Sequence, residues 1–72
     1  MTIEELRIEV LKASEERPRN WRLGQFVFNY IEVNYGDVAR TVQFIDKVDC
    51  YFHDDQIDAF IEQICVWLNK NK

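Results

Sequence analysis

"RLGQFVFNYIEVNY", residues 22–35, decides how the rest of this chain is read. Leu23, Val27, Phe28 and Ile31 recur at intervals of three and four, the spacing of one helix face. Phe26, Tyr30 and Val33 extend the apolar surface around the cylinder, and a helix apolar most of the way round belongs at the centre of its domain. What stays polar is a narrow stripe of Arg22, Gln25, Asn29 and Glu32. Asn20 suits an N-cap and Gly36 a C-cap, so the stretch predicts a helix over residues 21–35.

Before it, Thr2 and Glu5 stand three apart, the spacing of a capping box, and open a first helix. Ile3, Leu6, Val10 and Ala13, with Leu11 beside them, form its single apolar stripe, while Glu4, Glu5, Glu9 and Lys12 face water. Pro18 lacks an amide proton and pushes Arg17 out of helical geometry, which separates the first helix from the second. After Gly36, Asp37 is placed to cap a short third helix through Ile45, with Val38, Val42 and Ile45 inward and Arg40 outward.

"DKVDCYFHDD", residues 46–55, has neither helical nor strand periodicity and reads as an ordered loop held by its aromatics. Asp54 or Asp55 then caps the last helix, whose apolar face is Ile57, Phe60, Ile61, Ile64 and Leu68, with Trp67 off that face. The closing "NKNK", residues 69–72, puts positive charge at the helix C-terminus, where the helix dipole favours it. The expectation is an all-α fold: one domain over residues 1–72, a small antiparallel bundle of four helices, one short, with an ordered aromatic and acidic loop before the last.

Seventy-two residues bury only about 60% of the surface they expose when unfolded, so the core is thin. The net charge of −4 argues against nucleic acid as a general partner, because such binding depends on Lys and Arg neutralising phosphates. Residues 31–72 carry eight acidic and four basic side chains. No apolar run approaches the roughly 20 residues that span a bilayer, which excludes a membrane-spanning reading. "MTIEELRIEV" begins with acidic residues where a secretory signal carries Lys or Arg, and with Cys50 and Cys65 read as reduced thiols the expected location is the cytoplasm.

Cys50 and His53 invite a nucleophile and base reading, with Asp54 or Asp55 as the orienting acid, but they crowd one loop with no oxyanion donor nearby. The Cys-x-x-His spacing, with Cys65 added, is half of a zinc signature. No catalytic residue, metal site or cofactor is expected. Arg17, Arg19 and Arg22 surround the start of the second helix, a candidate anion site.

"RLGQFVFN" followed by "DCYFHDDQIDAFI" resembles a group of short uncharacterised bacterial proteins. That group pairs an Arg-x-Gly-Gln-x-x-x-Asn helix with a loop of Asp, aromatics and Asp, and then an Ile-x-x-Phe helix. The likeness spans residues 17–68 and is carried by Arg22, Gly24, Gln25, Asn29, Asp49, Phe52, Asp54, Ile57 and Phe60. It implies a fold and no chemistry.

Two functional expectations follow. The first is a non-enzymatic domain that works by contacting another protein or itself, with Trp21, Tyr35, Val66 and Trp67 as the candidate contact residues. The alternative is a small anion or nucleic-acid binder using Arg17, Arg19 and Arg22. Gly24, Gln25 and Asn29 are expected to form a structural latch: Gly24 lets another segment come close, and the two amides, one turn apart, hydrogen-bond residues 49–53.

Overall fold

The computed structural model describes residues 1–70 and is all-helical over them. Helices α1 (Ile3–Ser14), α2 (Leu23–Tyr35), α3 (Val38–Ile45) and α4 (Ile57–Lys70) are joined by short loops, with a single 3₁₀ turn, Asp54–Gln56, leading into α4. Among the described residues no helix is long and apolar enough to cross a membrane.

The capping box opens α1 as its spacing requires: Thr2 Oγ1 accepts from the Glu5 amide at 3.1 Å, and the Thr2 amide donates to Glu5 Oε1 at 3.0 Å. Leu6 and Val10 then face the core, while Ile3 and Leu11 lie at the exposed margin of the stripe. Helix α1 packs on α2 and on α4, α2 on α3, and α3 on α4, so the four helices close a ring around Val27, Phe28, Ile31, Val42, Phe60, Ile61 and Ile64. Helices α1 and α4 are antiparallel: Asn69 Nδ2 donates to the Met1 carbonyl at one end, and Arg7 pairs with Asp58 at 3.2 Å further along.

Five local expectations are corrected. Helix α2 starts at Leu23, two residues later than Asn20 capping implies, because Asn20 lies inside a turn closed by the Trp21 amide on the Pro18 carbonyl. Arg22, extended at φ −70 and ψ 156, takes the cap position without a side-chain bond of its own. Asp37 already has helical dihedrals and makes no cap bond, since a capping side chain needs an extended backbone to reach back to the amides. Asp54 and Asp55 lie within the 3₁₀ turn, which opens through the Gln56 amide on the His53 carbonyl, and neither side chain caps that turn. Finally, the buried surface of α2 does not extend round to Val33, which is 82% exposed, and on α3 Ile45, expected inward, points outward at 67%.

Helix α3 ends by a left-handed residue, Lys47 at φ 60, which turns the Val48 amide back to the Val42 carbonyl. At the end of α4, Lys70 stands with Nζ 5.3 Å from the Trp67 ring centroid. The last two residues of the basic tail, Asn71 and Lys72, lie outside the described residues.

Candidate functional site

The sequence signatures converge where the start of α2 meets residues 49–54. Gly24 is buried there, and a Cβ on it would collide with the Cys50 carbonyl oxygen and come within 2.6 Å of Asp54 Oδ1. Two backbones approach at Gly24 as closely as a missing side chain allows, the role the signature assigned to this residue. The Gly24 amide, one of the free donors at a helix start, donates to Asp54 Oδ1 at 3.1 Å. Asp54, thirty residues downstream, therefore supplies the cap that no residue next to α2 provides. Arg22 reaches the same carboxylate oxygen through one guanidinium nitrogen at 3.2 Å and the Tyr51 carbonyl through the other at 2.6 Å.

The loop is ordered from within as well. Asp49 Oδ1 accepts from the Tyr51 amide, and the Asp49 amide donates to Gln56 Oε1. The Tyr51 ring meets Phe28 edge-on at 5.6 Å between centroids, and Phe28 in turn packs on Phe60 at 5.7 Å. The loop thus rests on the core through one aromatic ring and on α2 through Arg22 and Gly24.

Gln25 and Asn29 are not the hooks of this latch. Asn29 Nδ2 donates to the Gln25 carbonyl within its own helix at 3.0 Å, and among the described residues neither side-chain amide bonds the loop. The reason is angular: residues 25 and 29 share a stripe about 100° around the helix from Gly24, and the loop docks on the Gly24 side. A short amide on a helix surface then takes the carbonyl one turn back.

Cys50 is fully buried, and its thiol donates to the Gly24 carbonyl at 3.4 Å. Burial pushes the thiol up to about 12, and the Asp49 carboxylate adds to the rise. That is the reverse of what an activated nucleophile needs. His53, three residues on, is exposed, whereas the Cys50 thiol is turned inward to the Gly24 carbonyl. Among the described residues no three His, Cys, Asp or Glu side chains are grouped to hold a metal ion.

Two of the three arginines of the basic cluster are engaged within the chain. Arg17 caps the end of α1, donating to the Ser14 carbonyl at 3.1 Å and to the Trp21 carbonyl at 3.3 Å, and Arg22 is held by Asp54. Arg19 is exposed. The anion that the start of α2 attracts is the protein's own Asp54.

A second polar junction ties α1 to the far end of α2, and pattern reading placed its acid in water. Glu9 accepts from the Tyr30 hydroxyl at 2.7 Å and from the Tyr35 hydroxyl at 2.8 Å. The bond to Glu9 raises the Tyr30 pKa above its ordinary value, and burial together with the same carboxylate pushes Tyr35 up to about 12. The only advance sign was that Glu9 and Tyr30 lie on the two helices that Pro18 separates. Beside Glu9 a shallow depression lined by Lys12, Ala13, Glu15 and Glu16 opens to solvent.

Of the four candidate contact residues, Tyr35 and Trp67 pack against the core, and Trp67 Nε1 donates to Asp46 Oδ2 at 2.8 Å. Trp21 is half-buried, and Val66 stays exposed. The more exposed apolar side chains are elsewhere: Ile8 on α1, Val33 on α2 and Phe52 in the loop stand singly, while Phe44 and Ile45 are adjacent at the end of α3. Comparison with known proteins returned no matching family model, no matching curated protein and no matching solved structure.

Proposed function

We propose that this chain is a non-enzymatic protein-contact domain that meets its partner through the end of α3. The observation that carries this reading is the pair Phe44 and Ile45, adjacent in sequence and 65% and 67% exposed. Two neighbouring large apolar side chains held in water by a helix end are the kind of surface that association covers. The polar groups that could have formed a ligand site are occupied internally: Arg22 and Asp54 by each other, Glu9 by two tyrosines, Asp46 by Trp67. The buried thiols Cys50 and Cys65, unpaired, support a reducing compartment, and the cytoplasm is the proposed location.

The test compares wild type with the double variant Phe44→Glu, Ile45→Glu. Because both side chains are exposed, the melting temperature should hold, with a stability change within about 0.5 kcal/mol. Sedimentation equilibrium in which mass rises with concentration for wild type, and not for the variant, supports contact between copies. A wild-type monomer at every concentration leaves a different chain as partner, and cross-linking in the source cells should then be lost in the variant. Equal cross-linking by both forms overturns the reading.

A further inference from the structure

We draw no further inference here: the strongest candidate, the exposed apolar end of α3 at Phe44 and Ile45, belongs to the surface already proposed as the contact, and nothing in the structure shows which chain covers it.

Discussion

Helix α2 is finished by a glycine near each end, and the two serve by different properties of the same residue. At the start, Gly24 acts by lacking a side chain in a crowded place, where the Cys50 carbonyl and the Asp54 carboxylate occupy the space of a Cβ. At the end, Gly36 acts by its dihedrals: φ 83 and ψ −147 lie in a region that L side chains rarely enter, and the space around it is open. The first end is held by tertiary contacts from residues 50–54, the second by the chain's own turn into α3. A helix can therefore be bounded by a neighbour or by itself, and only the second kind can be read from adjacent residues.

Alanine at the two positions is the sharpest way to break this comparison. Gly24→Ala should cost about 3 kcal/mol, the upper end for an overpacked site, because both colliding groups belong to the latch. Against an expected total of about 4–10 kcal/mol for a chain of this length, that is a large loss, visible in a urea titration. Gly36→Ala should cost about 2 kcal/mol through dihedral strain alone. The two mechanisms separate with D-alanine placed by chemical synthesis: at residue 36 it sits in the mirror image of ordinary extended backbone and should restore wild-type stability. At residue 24 its methyl leaves the L-Cβ position but a D-residue strains a right-handed helix by about 1–2 kcal/mol, so rescue there should be partial at most. Full rescue at both positions, or none at residue 36, would break the distinction.

The next effect tests whether Asp54 caps α2 from a distance. Asp54→Ala removes the acceptor of the Gly24 amide and the partner of Arg22, and should cost about 1–2 kcal/mol, the range for a lost cap. Asp54→Asn keeps an acceptor oxygen and should recover part of it. Hydrogen exchange at the Gly24 amide is the direct measurement, and protection unchanged in Asp54→Ala would show that the cap is not what holds it.

These ends explain which parts of the fold were legible in the sequence. The Thr2 and Glu5 box is closed between residues three apart, so spacing alone identifies it. Gly36 likewise stands where an apolar period stops. Asp54 stands just ahead of α4, which pattern reading would have it cap, and its true partner is thirty residues away. Nothing in a linear pattern ranks those partners; packing does. Glu9 failed for the same reason, because a carboxylate at the margin of an apolar stripe looks solvated until two tyrosine hydroxyls from α2 arrive beside it. Ile45 and Val33 show the converse limit: periodicity assigns a face but not whether another element covers it.

Alkali probes both ends of α2 at once. The raised pKa of Tyr35 means that its neutral form is favoured when folded, so the stability linked to it is complete below the ordinary value of 10.0 and is lost as pH rises toward about 12. Cys50 behaves alike, from 9.0 toward about 12. Wild-type stability should therefore start to fall above pH 9 and fall faster above 10. Tyr35→Phe, expected to cost about 1 kcal/mol at neutral pH for the lost hydrogen bond, should make the second segment less steep, leaving there the slope of Cys50 and Tyr30, and leave the first unchanged. Stability flat from neutrality to pH 12 would remove both assignments.

The smallest expected effect is at Asn29. Its side chain lies half-buried on the polar stripe, and its amide donates to the Gln25 carbonyl, a helix carbonyl that the backbone amide one turn on already serves. Removing the side chain strands no buried partner, which is what makes a lost hydrogen bond expensive. Alanine is also the better helix former by about 0.5 kcal/mol, and a surface amide that competes for backbone carbonyls contributes little to a helix interior. Asn29→Ala should therefore shift stability by less than about 0.5 kcal/mol in either direction, in contrast to Asp54→Ala, which acts on the same helix through the Gly24 amide. A loss of 1 kcal/mol or more, measured by urea unfolding, would mean that the stripe does hold the loop and that the latch has a second hook.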